Sequence, residues 1–219
     1  IMKIYSYYGF NEFIICCGYK GYLIKEYFSN YSLHNSNVTF DYLNGTMDIH
    51  NKFTEPWKVT LIDTGLNTMT GGRLLRIKEY LKGDYFCFTY GDGLSNINIK
   101  DLIRNHKESE AKLTVSAVQA PGRYGSLNIK KNIVKSFEEK PLGDGAWING
   151  GFFVCNYSVL DYIRDDQTIW EKSPLETLAK ENKLNAFLHS GFWQPMDTLR
   201  DKNELEKLWK SGNAPWRVW

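Results

Sequence analysis

Phe86-Cys87-Phe88-Thr89-Tyr90-Gly91-Asp92-Gly93 is the stretch on which the reading of this chain turns. An apolar, aromatic run stops abruptly at Gly-Asp-Gly. The pattern predicts a buried parallel strand whose carboxyl end opens into a tight turn. In open α/β sheets ligands bind outside that end of the strands. Glycine lets backbone and ligand approach closely, and Asp92 is left facing a crevice where a hard cation could sit. Read alone, Gly-Asp-Gly is more readily a plain turn, because Asp and Gly dominate turns.

Working outward, apolar strands alternate with helical spacing. Residues 13–17 (Phe-Ile-Ile-Cys-Cys) form a continuous apolar run, as in a strand covered on both faces. Gly18 closes it, and helical spacing follows through Tyr22, Leu23, Tyr27 and Phe28. Residues 38–43 and 47–50 flank Asn44-Gly45, a hairpin signal. Residues 57–62 and 113–118 read as further strands, and 99–107 as a helix. This βαβα rhythm predicts a doubly wound, mostly parallel Rossmann-like sheet. Beyond residue 118 the pattern turns β-rich. A hairpin joins 127–129 to 133–137, and a Gly-containing strand covers 147–154. Helices follow at 159–163, 174–180 and 199–210, with a short strand at 186–189 between the last two. One domain is expected, with 1–118 as its nucleotide-binding part and 119–219 as a sugar-phosphate-binding part with a C-terminal helix and tail. Ile1, Ile4, Tyr5 and Tyr8 repeat like a helix face, so the sequence is expected to open inside a helix ended by Gly9.

Three further stretches carry chemistry. Residues 63–73 form a loop rich in hydroxyls and glycine that runs into a helix. A helix N-terminus offers unpaired amides to phosphate or to a polar base edge. Arg73 in that first turn opposes the helix dipole, which a partner anion would explain; an ordinary helix capped by Thr70 is the plainer reading. Glu138-Glu139-Lys140-Pro141 places two carboxylates beside a lysine at a strand end, where a surface ion pair of little energetic weight is the alternative. Gly191-Phe192-Trp193-Gln194-Pro195-Met196-Asp197-Thr198 holds one acid in apolar surroundings just before a helix. Asp197 then serves either as a helix cap or as a second cation ligand.

Composition narrows the field. The 219 residues carry a net charge of +2, which gives no general attraction to nucleic acid or to acidic membranes. Cys16, Cys17, Cys87 and Cys155 lie in apolar runs without CxxC spacing, which predicts reduced thiols in a cytoplasmic protein. His34, His50, His106 and His189 are scattered and read as packing or surface residues. No apolar run reaches membrane-spanning length. Two isolated acids, Asp92 and Asp197, with the cations Arg73, Lys140 and Lys20 and several glycine turns, suit a magnesium-dependent reaction on phosphates. Mg²⁺ takes one or two carboxylates and completes its shell with water and substrate phosphates.

The order of five motifs goes further. Thr68-Met69-Thr70-Gly71-Gly72-Arg73, Thr89-Tyr90-Gly91-Asp92-Gly93, Phe137-Glu138-Glu139-Lys140-Pro141, Ile148-Asn149-Gly150-Gly151-Phe152-Phe153-Val154 and the Gly191–Thr198 stretch together resemble the sugar-phosphate nucleotidyltransferase family, in its cytidylyl-transferring branch. The resemblance runs to the closing Ala-Pro-Trp-Arg-Val-Trp. It implies the nucleotide-diphospho-sugar transferase fold, with CTP and α-D-glucose 1-phosphate as substrates and Mg²⁺ as cofactor. Asp92 and Asp197 would hold the metal, Lys140 would neutralise the sugar phosphate, and Glu139 would bind sugar hydroxyls. Thr68, Arg73 and Gly91 would line the nucleotide pocket; Gly125, Asn149 and Gly150 would flank the sugar. A homo-oligomer is expected, with neither nucleic acid nor membrane as partner. The family also opens with a strand and a Gly-rich triphosphate loop that these residues lack. That leads to the expectation that the chain as written turns over poorly and exposes apolar strand edges. Two other readings remain: a glycosyltransferase using a nucleotide-sugar donor, disfavoured because Asp92 is followed by Gly93 and Leu94 rather than by a second acid, and a non-catalytic nucleotide-sugar-binding subunit.

Overall fold

The structure, a computed structural model, describes residues 1–120, 126–138 and 146–219. In chain order the first elements are α1 (Met2–Tyr7), β1 (Glu12–Cys17), α2 (Gly21–Ser29), α3 (Tyr31–His34), β2 (Ser36–Asp41), β3 (Thr46–Lys52), β4 (Lys58–Asp63) and α4 (Thr70–Arg76). They are followed by β5 (Tyr85–Thr89), β6 (Gly93–Ser95), α5 (Ile99–Glu108), β7 (Leu113–Val118), β8 (Ser126–Lys130), β9 (Ile133–Glu138) and β10 (Ile148–Asn156). The chain ends with α6 (Ser173–Lys180), β11 (Leu184–His189), β12 (Trp193–Pro195) and α7 (Leu199–Lys210).

Contacts divide the chain into two compact units, and the division does not fall near residue 118. One unit holds Ile1–Phe10, Lys82–Tyr162 and Glu171–Trp219; the other holds Asn11–Leu81 and Ile163–Trp170.

In the smaller unit β1 and β4 run parallel, with Phe13 opposite Val59 and Cys17 opposite Asp63. The carboxyl ends of both strands are therefore level. Thr64, just past β4, ties them by donating its backbone N–H and its hydroxyl to the Cys17 carbonyl, each at 2.8 Å. Between the two strands the chain makes the α2–α3 crossover and the β2–β3 hairpin. The hairpin turns at Gly45, whose φ of +65° suits glycine. The Asp41 carboxylate accepts from Leu43, Asn44 and the Asn44 amide, which holds its pKa below the usual carboxylate value.

The return segment Ile163–Trp170 packs on α4. The backbone N–H groups of Gly71 and Gly72 both donate to the Thr168 carbonyl, at 3.0 and 3.2 Å, and Met69 N–H donates to the Asp166 carbonyl at 2.8 Å. The expectation of amides left open for a phosphate at this helix N-terminus is thereby corrected. A Cβ on Gly72 would lie 2.5 Å from the Asp166 carbonyl oxygen, and one on Gly71 2.7 Å from that of Thr168. These glycines make room for backbone. Thr70 is the first helical residue rather than the cap, and its hydroxyl accepts from Trp170 N–H at 2.9 Å.

In the larger unit a four-stranded sheet has the order β11-β7-β10-β5. β11 and β7 are parallel, while β10 is antiparallel to both β7 and β5. β5, expected as a buried parallel strand, is half-buried, and β10 is the neighbour the described residues give it. Its apolar run is covered by packing on one side: Tyr5 of α1 stacks on Phe152 and its hydroxyl bonds the Thr89 hydroxyl. Phe152, Phe153, Val154 and Cys155 of β10 are fully buried. α5 lays Ile99, Leu102 and Ile103 into this core, and the Asn98 side chain caps it by accepting from Asp101 N–H. The remaining ladders are the β8–β9 hairpin and a short antiparallel ribbon of β6 with β12. The sequence pattern did not mark β6 or β12 as strands. The segment expected as a helix at 159–163 is a 3₁₀ turn, Tyr157–Tyr162.

Candidate active site

The β6–β12 ribbon builds the centre of the site. Trp193 pairs with Ser95, Gln194 with Leu94 and Pro195 with Gly93. The next residue continues the ladder: Met196 N–H donates to the Asp92 carbonyl at 2.8 Å. Asp92 and Asp197 are 105 residues apart in sequence, yet one backbone hydrogen bond makes their chain segments neighbours. Both residues are exposed. Among the described residues neither carboxylate has a hydrogen-bond or ion-pair partner.

The alternative role for Asp197, helix cap, is filled by another residue. Thr198 caps α7: its hydroxyl accepts from Asp201 N–H, and the Asp201 carboxylate accepts from Thr198 N–H in return. Asp201 is buried and also accepts from the Gln194 amide at 3.2 Å. Gln194 thus locks the ribbon to the start of α7. Asp197, between a strand end and a cap, is held by its neighbours and keeps its own carboxylate uncommitted. Carboxylates without a protein partner are the kind of group a hard divalent cation takes, because it needs few protein oxygens.

Trp193 ties the ribbon to β10, its indole N–H donating to the Gly150 carbonyl at 2.8 Å. A Cβ on Gly150 would sit 2.7 Å from Ser116 Oγ and from Val118 Cγ1, so close strand packing already requires a glycine there. Gly91 differs: among the described residues nothing lies within 4 Å of its absent side chain. Asn149 is exposed, with its Oδ1 accepting from Gly151 N–H at 2.8 Å.

Thr68 and Arg73 belong to the smaller unit. Thr68 is buried, and its hydroxyl would lie 2.8 Å from a Cβ on Gly65, a residue at φ +86°. The Arg73 guanidinium reaches back to the carboxyl end of β1. It donates to Thr64 Oγ1 at 2.6 Å and to the Cys17 carbonyl at 3.3 Å. A Cβ on Gly18 would meet it at 2.6 Å. Neutral acceptors, rather than the expected anion, supply these contacts. Beside them a cleft of about 260 Å³ is lined by Cys17, Gly18, Lys20, Gly21, Lys25 and Asp63. Lys20 sits at the start of α2 with φ +55° and lies over the Tyr19 ring.

Gly125, Glu139 and Lys140 lie outside the described residues. The structure adds four residues to the site that the motifs did not single out: Tyr90, Glu171, Trp193 and Asp201. Trp193 stood inside a quoted motif, where its indole N–H was the available signal. The bond from Tyr90 to Glu171 spans 81 positions and leaves no periodic trace.

A family model described as nucleotidyl transferase matches residues 8–199. The glucose-1-phosphate cytidylyltransferase of Salmonella typhimurium is 59% identical over 220 residues, covering 100% of this chain and 86% of that protein. A Bacillus subtilis protein described as probable glucose-1-phosphate cytidylyltransferase is 43% identical with the same coverage. Among solved structures, HddC from Yersinia pseudotuberculosis aligns with a TM-score of 0.62 over 93% of this chain and 80% of that one. At 22% identity this is a likeness of fold.

Proposed function

The chain belongs to the nucleotidyl transferase family, and we propose that within it the protein transfers a cytidylyl group from CTP to α-D-glucose 1-phosphate, giving CDP-glucose and pyrophosphate. A phosphate oxygen of the sugar phosphate attacks the α-phosphorus of CTP, and pyrophosphate leaves from the opposite side. Such transfer asks little covalent chemistry of the protein; positioning and charge do most of the work. Asp92 and Asp197 are the carboxylates to hold Mg²⁺, which when bound neutralises the reacting phosphates. Lys140 takes the charge of the sugar phosphate, and Glu139 accepts from sugar hydroxyls. Gly91 leaves the turn open for the nucleotide, with Thr68 and Arg73 on the nucleotide side. Gly125, Asn149 and Gly150 flank the sugar.

The observation that carries this reading is the Met196 N–H to Asp92 carbonyl bond. It makes the chain segments that carry the two acids neighbours, and the cap at Thr198 leaves the Asp197 carboxylate without a partner among the described residues. Among the described residues no helix is long and apolar enough to cross a membrane. We place the protein in the cytoplasm as a homo-oligomer; the β2–β3 turn, where Tyr42 and Leu43 are 91% and 93% exposed, supports self-association. Light scattering tests that point.

The deciding experiment is pyrophosphate release with glucose 1-phosphate and, in turn, CTP, UTP, dTTP and ATP, with and without Mg²⁺. Release with CTP far above the others, abolished by chelation, is expected. Equal rates with UTP would overturn the choice of nucleotide, and undiminished rates in chelator would overturn the metal.

A further inference from the structure

We propose that Tyr90 is a positioning residue for the sugar phosphate, acting through Asn149 and polarised by Glu171. The proposal rests on the reading of Asn149 as a sugar-flanking group.

Tyr90 is the residue just before the Gly91-Asp92 turn, and its place is over-determined. Its backbone N–H donates to the Gly151 carbonyl at 3.0 Å. Its ring lies against Gly151, where a Cβ would come within 2.8 Å of Cδ2. Gly151 has φ +76°, so glycine is needed there on two counts. Phe153 meets the ring edge-to-face at 5.5 Å. The hydroxyl is thus aimed by packing that does not involve the hydroxyl itself.

The direction of each hydrogen bond then follows. Tyr90 Oη donates to Glu171 Oε1 at 2.5 Å. A carboxylate can only accept, so the phenol proton is committed to it. Toward Asn149 the same oxygen must accept, and Asn149 Nδ2 donates to it at 3.4 Å. Asn149 Oδ1 meanwhile accepts from Gly151 N–H. The amide is held at both ends, nitrogen toward Tyr90 and oxygen toward Gly151. One N–H and one oxygen lone pair remain, side by side on an exposed residue. A sugar hydroxyl, which donates and accepts at once, matches that pair. Glu171 thereby sets the polarity of Tyr90, and Tyr90 that of Asn149, all next to the turn that carries Asp92.

The test is steady-state kinetics on the full chain, both substrates varied, for Tyr90→Phe, Glu171→Ala and Glu171→Gln. Tyr90→Phe keeps the ring and its packing. It is expected to raise KM for glucose 1-phosphate roughly 3- to 10-fold, the worth of one hydrogen bond. KM for CTP stays within about twofold. Glu171→Ala reproduces this, and Glu171→Gln, whose amide oxygen still accepts, restores most of the affinity. Tyr90→Phe with an unchanged sugar-phosphate KM overturns the proposal. So does a change in both KM values together with a fall in melting temperature, which marks a structural role. Loss of affinity in Glu171→Gln equal to that in Glu171→Ala overturns the polarity argument. Wild-type protein that binds neither CTP nor glucose 1-phosphate overturns the functional reading itself, which is distinct from a binding-competent wild type with indifferent variants.

Discussion

Gly72→Ala and Gly91→Ala should separate two kinds of glycine that look alike in the sequence. At Gly72 the added methyl would lie 2.5, 2.6 and 2.7 Å from the carbonyl oxygen, Cα and carbonyl carbon of Asp166. Ordinary contact begins at 3.4 Å, so backbone must retreat by 0.9 Å at the nearest atom. Overpacking costs about 1–3 kcal/mol. The retreat also strains the Gly71 and Gly72 N–H bonds to Thr168, each worth about 1 kcal/mol. Against this, alanine gains about 1 kcal/mol over glycine in a helix. The net destabilisation is about 2–4 kcal/mol, which for a chain of this length lowers Tm by roughly 5–15 °C. Gly91 has open space where its side chain would be. Alanine there should leave stability within about 0.5 kcal/mol. Under the proposed reading it should raise KM for CTP, because the methyl enters the nucleotide's approach. Urea unfolding followed by fluorescence supplies the stabilities, and CTP-dependent pyrophosphate release the affinities. If Gly72→Ala unfolds like wild type while its KM for CTP rises, α4 serves the ligand and the packing argument is wrong.

Three more outcomes follow from the same geometry. Asp92→Asn should lower kcat on the order of 100-fold or more, with Tm unchanged because the carboxylate is exposed and unpartnered among the described residues; near-normal turnover would remove it from the metal site. Thr198→Ala should cost about 1–2 kcal/mol in urea unfolding, since Asp201 of the capping box is buried, and a loss below the error of the measurement would show that the Thr198 cap does not stabilise α7. His106 gives a pH signature. It is buried, with Nδ1 at Thr114 Oγ1 and Nε2 at Asn156 Oδ1, and burial lowers its pKa below 6.5. The unfolded chain therefore takes up the proton first, so this stability is complete above pH 6.5 and drains away as pH falls through the folded pKa. His189 is lowered in the same way. The urea midpoint should drop between pH 6.5 and 5, less steeply in His106→Gln, and identical slopes would exclude His106 as a contributor.

How much of this was legible beforehand depends on whether the signal is local. β7 at Leu113–Val118 and α7 at Leu199–Lys210 fall where apolar run length and helical spacing put them, and a hairpin does form around Asn44-Gly45, though through a four-residue loop, 42–45, with Asp41 opposite Thr46. Those are properties of neighbouring residues. β6 was not legible because three residues carry no period; it is a strand because β12, about a hundred positions on, pairs with it. The pairing of β5 was misjudged for the same reason. A strand's partner is chosen by the whole chain, and an aromatic run such as Tyr85–Thr89 packs equally well beside an antiparallel neighbour. The return of residues 163–170 to α4 is likewise a pairing chosen by the whole chain, which no local pattern marks.

The site divides along the same line. Asp92 and Asp197 stood out because each is an acid isolated among apolar and glycine residues, a local oddity. What holds them together was hidden. Gly71-Gly72 and Gly91-Asp92-Gly93 share a composition, and composition cannot say whether an absent Cβ makes room for a ligand or for a passing backbone. At Gly72 the neighbour is Asp166, at Gly150 it is Ser116, at Gly151 it is the Tyr90 ring, and at Gly91 it is open space. Three of these four glycines therefore have a packing reason independent of any substrate. Gly91 is the one of the four whose smallness no atom of the described residues explains, and it sits beside Asp92. A glycine that no described residue requires, next to a carboxylate that no described residue pairs, is the arrangement a phosphate bound through a divalent cation would account for.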